Sequence, residues 1–219
     1  MSDEMSGTSE WGWLEALHNL RIPAHRSDVT AWHGHMPLAF YIVAAAKPSV
    51  FVELGTHKGD SYCAFCQAVE AAGLSTRCYA VDTWQGDTHA GHYDDSVYDG
   101  LRAYHDPRYG HFSSLLRETF DEALAYFDDG SIDLLHIDGL HTYEAVKTDF
   151  DKWLPKLSDR AVVLLHDVEV RERDFGVYRF WQELQTAYPT VTSSISNGLG
   201  IAAVGKQIPE ALRPLFVHP

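Results

Sequence analysis

Two short stretches of this 219-residue chain carry residue types that bind cations and move protons. One reads His136-Ile137-Asp138-Gly139-Leu140-His141, the other His166-Asp167. Each closes an apolar run of strand character, Ile132–Ile137 and Ala161–Leu165. If these runs are adjacent parallel strands, Asp138, His166 and Asp167 meet at one sheet edge, with His141 on the loop above. Two carboxylates and an imidazole can hold a divalent cation. Mg²⁺ prefers oxygen donors, so His166 leaves Mn²⁺, Fe²⁺ and Zn²⁺ open. The plainer alternative is that Asp138 and Asp167 cap the segments after them and that His166 packs.

A second candidate site follows the run Val50–Leu54, in Glu53-Leu54-Gly55-Thr56-His57-Lys58-Gly59-Asp60-Ser61. Gly55 suits a tight turn, and Gly59 lets backbone approach a ligand. The helix start that follows favours acceptor or anionic groups. Neither the dinucleotide pattern GxGxxG nor a phosphate loop is present. Asp82 follows the next apolar run, where acidic residues of such folds bind ribose hydroxyls. No cationic partner for a pyrophosphate is evident, so a nucleoside ligand without phosphates fits better. A plain strand-to-helix turn with a capping aspartate is the alternative.

Positioning elements are legible in the apolar pattern. Trp11–Leu20 carries a helical stripe, and Leu38–Ala46 reads as a helix between Pro37 and Lys47-Pro48. Strands then follow at Val50–Leu54, Cys78–Val81, Phe112–Leu116, Ile132–Ile137 and Ala161–Leu165. Helices fall near Asp60–Ala72, Thr119–Tyr126, Tyr143–Leu154 and Phe175–Ala187. Asp82–Tyr109 reads as a loop with a short helix near Val97–Tyr104. Its Trp84, Asp87, His89, His92 and Tyr93 suit a sugar, through ring stacking beside hydroxyl hydrogen bonds. Asn197-Gly198, between Thr190–Ile195 and Leu199–Val204, predicts a terminal hairpin. Alternation of this kind gives an α/β fold, a doubly wound and mostly parallel sheet covered on both faces. The expected division is an N-terminal helical cap over 1–48, a core over 49–206 and a tail over 207–219.

Composition narrows the function. A formal net charge of −14 argues against a nucleic-acid partner, because a phosphate backbone is bound chiefly by Lys and Arg. The longest apolar run is nine residues, Leu38–Ala46, against about 20 for a membrane-spanning helix. The polar start Met1–Glu10 and three sparse cysteines point to a cytoplasmic protein without a disulfide scaffold. Cys63 and Cys66 have CxxC spacing but no second pair, so buried helix thiols are expected rather than zinc ligands. Whether the chain self-associates stays open.

Taken together, Val52-Glu53-Leu54-Gly55-Thr56 with Gly59 and Ser61, Val81-Asp82-Thr83-Trp84 with Gly86-Asp87, His136–Tyr143 and His166-Asp167 resemble the class I S-adenosylmethionine-dependent methyltransferases. More narrowly the chain resembles a bacterial subgroup associated with glycosyltransferases, and more distantly the metal-dependent sugar and catechol O-methyltransferases. The resemblance implies a Rossmann-like, seven-stranded sheet with a reversed last strand. It implies S-adenosylmethionine as cofactor, its amino-acid part cradled by the Gly55–Gly59 turn with Glu53, Thr56 and Ser61. It also implies Asp82 on the ribose, Thr83 and Trp84 beside the adenosine, and Thr119 near the adenine. Asp138 and Asp167 match the acids that hold a cation, Mg²⁺ or Mn²⁺, in the metal-dependent relatives, and His166 replaces the usual acidic first member of the pair. His141 stands where those relatives place a base. The expected reaction is methyl transfer to a hydroxyl of a small-molecule or glycan acceptor, with His141 and Asp138 as catalytic residues. A nicotinamide-dependent oxidoreductase and a methyltransferase-like, metal-assisted hydroxylase are the competing readings.

Overall fold

A computed structural model describes residues 25–216. The expected Trp11–Leu20 helix, the polar start Met1–Glu10 and residues 217–219 lie outside the described residues. Within them, helix α1 spans Met36–Ala46 and strand β1 spans Val50–Leu54, followed by α2, Asp60–Ala71, and β2, Arg77–Val81. A two-residue ladder, β3 at Gly86–Asp87 with β4 at Gly91–His92, leads into α3, Asp95–Tyr109. The chain continues through β5, Ser113–Leu116, the short α4, Phe120–Ala123, and β6, Ile132–Ile137. Then come α5, Tyr143–Trp153, β7, Leu157–His166, and α6, Val177–Ala187. The hairpin strands β8, Thr190–Ser193, and β9, Leu199–Ala203, precede a last helical turn, α7, Arg213–Phe216.

Seven strands form one sheet in the order β5-β2-β1-β6-β7-β9-β8. The β2–β5, β1–β2, β1–β6 and β6–β7 pairs are parallel, whereas β9 runs antiparallel to both β7 and β8. The expected doubly wound sheet with an antiparallel hairpin is therefore present. Successive strand residues alternate between its faces. Phe51, Leu134, Val162 and Ile201 join a core with α1, α2 and α3. Val52, Leu135, Val163 and Ala202 join a second core under α5 and α6.

β7 begins at Leu157, four residues before the expected Ala161, and the segment expected as a loop over Asp82–Tyr109 departs further. The helix expected near Val97–Tyr104 runs over all of Asp95–Tyr109 and includes Pro107. Asp94 caps it by accepting from the Ser96 N–H, and Leu101, His105 and Tyr109 bury one stripe at fourfold spacing. The exposed face carries Asp99, Arg102, Asp106 and Arg108, and the buried stripe includes His105, which hid the helix in the sequence.

Candidate active site

Register decides where the chemistry gathers. Leu54 pairs with Val81 on one side and Ile137 on the other, and Ile137 pairs with Leu165. The next residue of each strand is Asp82, Gly55, Asp138 or His166, so these stand in one row beyond the carboxyl edge. β1 has β2 on one side and β6 on the other, the switch point where ligands bind in this architecture. A cavity of about 590 Å³ opens there.

The glycine turn is fixed by sterics. Gly55 has φ +86°, and a Cβ on it would lie 2.2 Å from the Asp138 carbonyl oxygen. Asp82 knits the same turn: one carboxylate oxygen accepts from the Thr56 and His57 N–H groups at 2.9 Å each, the other from the Trp84 N–H at 2.7 Å. No side chain caps α2, so its first N–H groups are available at the cavity. The buried Thr56 Oγ1 also lacks a protein partner.

Opposite this turn sits the acid–imidazole cluster. His141 Nε2 is 2.8 Å from an Asp167 oxygen and 3.6 Å from Asp138 Oδ1. His166 Nδ1 lies between the same carboxylates, 3.2 Å from Asp138 and 3.3 Å from Asp167. Asn197, on the β8–β9 turn, donates to the other Asp167 oxygen at 2.7 Å. Asp167 holds φ +61°, a left-handed conformation that costs a non-glycine residue about 1–3 kcal/mol. Burial opposes charge on every member, yet pairing outweighs it. The His141 ring is pushed up to about 9 by hydrogen bonds and charge from Asp138 and Asp167. His166 rises to about 10 beside the same acids. Asp167 falls to about 2, and Asp138 is held well below the usual carboxylate range. The four groups thus form two imidazoliums against two carboxylates, with no net charge.

Most of the expected site residues share this cavity. Gly55, Thr56, Gly59, Ser61, Asp82, Thr83 and Thr119 line it, with Asp138, His141, His166 and Asp167. Thr119 is also committed locally, because its side chain forms a capping box with Glu122 at the start of α4. Two expected cofactor residues do not line the cavity. Glu53 faces inward from β1, fully buried, and its carboxylate accepts from Nδ1 of its register partner His136 at 2.8 Å. His136 Nε2 in turn accepts from the Trp32 indole at 3.3 Å, so the three brace the cavity floor. Trp84 is fully buried as well; its indole donates to the His57 carbonyl at 2.8 Å and its ring packs on Tyr98. It buttresses the glycine turn from behind rather than flanking a ligand.

The expected metal set changes too. The atoms lying within 4.8 Å of one another belong to Asp138, His141 and Asp167, and His166 backs them from a nearly closed position. A divalent cation carries the same charge as the two imidazoliums, and oxygen–nitrogen donors of this kind suit it. Sequence reasoning missed Phe175 and Asn197. Asn197 was legible only as a turn former, and nothing in the local sequence marks Phe175 as facing a cavity.

A methyltransferase-domain profile matches residues 52–168. The chain belongs to that methyltransferase family. Over 203 residues it is also 49% identical to an uncharacterized protein, y4gI, of Sinorhizobium fredii. That match covers 91% of this chain but only 22% of the relative's length, so the chain spans about a fifth of that protein. Among solved structures, the fold is similar to the O-methyltransferase TomG of Streptomyces achromogenes, determined in complex with SAM. The TM-score is 0.57 at 14% identity, covering 94% of this chain and 91% of that one. It is likewise similar to the SAH-bound methyltransferase PaMTH1 of Podospora anserina, with TM-score 0.57, 14% identity, and coverage of 86% and 84%. The methyltransferase profile spans β1 to the Asp167 turn and so contains both the glycine turn and the acid–imidazole cluster.

Proposed function

We propose that this methyltransferase transfers a methyl group from S-adenosylmethionine to a hydroxyl of a sugar or glycosylated metabolite, assisted by a divalent cation. The observation that carries the reading is His141 Nε2 at 2.8 Å from Asp167, on a cavity wall facing the Gly55–Gly59 turn. The residues suit the cofactor: uncapped helix N–H groups and the orphaned Thr56 hydroxyl can receive its amino-acid part, and nearby carboxylates suit a sulfonium. Asp82 retains acceptor capacity for ribose hydroxyls beside its three backbone bonds.

S-adenosylmethionine, when bound, supplies an electrophilic methyl group and leaves as the neutral thioether. A divalent cation held by Asp138 and Asp167 would supply Lewis-acid stabilisation of an acceptor alkoxide and leave His141 Nε2 free to act as a base. The chain's own work is to hold the acceptor oxygen in line with the methyl carbon and to take the hydroxyl proton. His141 is the group placed for the proton. Its ring is charged at neutral pH while it compensates the two acids, and becomes a base once that compensation comes from elsewhere. Polar and aromatic groups of the β2–α3 segment, Asp87, His89 and Tyr93, line the cavity where an acceptor ring would lie.

Calorimetric titration with S-adenosylhomocysteine, with NAD as comparison and with or without Mn²⁺, tests the reading. Binding of S-adenosylhomocysteine and not NAD is expected. His141→Ala should keep that binding yet lose about 10²–10⁴ in methyl transfer in an acceptor screen with sugars. Tighter binding of NAD, or no binding of S-adenosylhomocysteine, would overturn it.

A further inference from the structure

The place of Asn197 in a hairpin turn does not explain its side chain. An Asn-Gly turn between strands ordinarily uses asparagine for its tolerance of positive φ. Here the left-handed positions fall to its neighbours, Ser196 at φ +51° and Gly198 at φ +86°, and Asn197 lies outside that region. Main-chain contacts, not the Asn197 side chain, hold the turn. The Asn197 carbonyl accepts from the Glu169 N–H at 3.0 Å, and the Ile195 carbonyl accepts from the Gly198 N–H at 3.0 Å. The turn also packs flush against Gly34, where a Cβ would lie 2.5 Å from Ile195 Cγ2. Neither the conformation nor the seating of the turn therefore calls for an amide at this position.

The amide is spent on Asp167 instead. Asn197 Nδ2 donates to Asp167 Oδ1 at 2.7 Å. A carboxylate only accepts, so the amide nitrogen and not its oxygen faces the acid. The second oxygen, Oδ2, is the one that meets the imidazoles, 2.8 Å from His141 and 3.3 Å from His166. Among the described residues no other side chain bonds Oδ1. The last torsion of an aspartate is broad and roughly two-fold, so a carboxylate with one oxygen unheld can turn about it. We propose that Asn197 is a positioning residue: by holding Oδ1 it keeps Oδ2 aimed into the cavity, where His141 or a cation meets it. The cation half of this rests on the proposed reading of Asp167 as a cation-holding acid. Loss of an outer hydrogen bond to such a ligand costs about 10–100-fold in metal affinity.

Mn²⁺ binding to the whole protein, read from the free-ion signal in electron paramagnetic resonance, measures the effect. Asn197→Leu keeps the side-chain bulk and every main-chain bond of the turn but removes the donor. Affinity should fall about 10–100-fold, with Tm within a few degrees of wild type. Asn197→Gln keeps an amide donor on a longer arm and should recover part of the loss, which a merely structural role for the turn would not produce. Wild-type affinity in Asn197→Leu overturns the proposal. So does the same loss in both variants, which would assign the effect to the shape of the turn. A crystal structure of metal-free Asn197→Leu supplies a readout without the cation. Its Asp167 carboxylate should have turned, with the contact to His141 lost; an unmoved carboxylate overturns the proposal. Absence of Mn²⁺ binding in wild type would sink the cation reading instead, and the crystal structure then decides the role of Asn197 by itself.

Discussion

His141 and His166 are pushed up to about 9 and about 10 by the same two acids, so at neutral pH a cation has to displace protons to enter. Binding of Mn²⁺ at pH 7 is expected to release about one to two protons. Calorimetry in buffers of different ionisation enthalpy measures that number, and affinity should rise as pH climbs through about 9. Release of none would place the cation elsewhere. Asp167→Asn should abolish most Mn²⁺ binding while the fold persists, since Asn197 can still pair with the amide. His35 poses the opposite case. It is fully buried, both ring nitrogens lack a protein partner, and burial together with the charge of His166 and His136 pushes it down to about 4. Replacing a buried polar group that has no partner with an apolar one is close to neutral or stabilising. His35→Leu should therefore hold or raise Tm at pH 7 in a thermal melt; a drop of more than a few degrees would show that the imidazole is satisfied.

At the scale of elements, the glycine turn after β1 is the least tolerant piece. Gly55→Ala would place a methyl 2.2 Å from the Asp138 carbonyl in a left-handed backbone. Conformation alone costs about 1–3 kcal/mol, and the overlap adds to it. A loss of at least that size in denaturant melts is expected, together with loss of S-adenosylhomocysteine binding, because the turn and the β6 end move together. The strands around this turn were legible because buried parallel strands are short apolar runs with sharp ends. Their polar terminal residues, Asp82, Asp138 and His166-Asp167, announced the site for the same reason. Other features were not legible. The family resemblance placed Trp84 beside the adenosine, but φ +52° turns the chain and its indole is spent on the His57 carbonyl. Glu53 lies one residue before the strand end, and the period of two sends it inward to His136. The pairing of His89 Nε2 with Asp174 Oδ1, at 2.8 Å, joins two polar loops, and no local pattern specifies which loop residues meet across a cavity.

For the molecule as a whole, the histidines set opposite limits on stability. The unfolded ring titrates near 6.5. His35, held neutral when folded, contributes stability that is present above pH 6.5 and lost as pH falls towards about 4. His141 and His166 contribute stability that is present below pH 6.5 and lost as pH rises through about 9 and about 10. Asp167 adds a further loss below pH 3.8, as pH falls towards about 2. Tm plotted against pH should therefore peak near pH 6.5, with a shoulder on the acid side from His35 and one on the alkaline side from His141 and His166. In His35→Leu the shoulder between pH 6.5 and 4 should shrink while the alkaline one stays. An acid limb unchanged by that substitution would assign it to other groups. Among the described residues no helix is long and apolar enough to cross a membrane.

The position of β9 also governs how the chain comes to be folded. Among the described residues it is the last strand in sequence, yet it lies inside the sheet, between β7 and β8. Until residues 199–203 emerge from the ribosome, β7 is an unpaired edge whose residues from Ala161 to His166 are all buried in the finished protein. A bare apolar edge of that kind invites pairing with other chains. The turn that delivers β9 also delivers Asn197 to Asp167, so the acid–imidazole cluster is completed in the same late step. A nascent or truncated chain ending before Leu199 would leave that edge bare and Asp167 without the strand pairing that anchors its Asn197 partner.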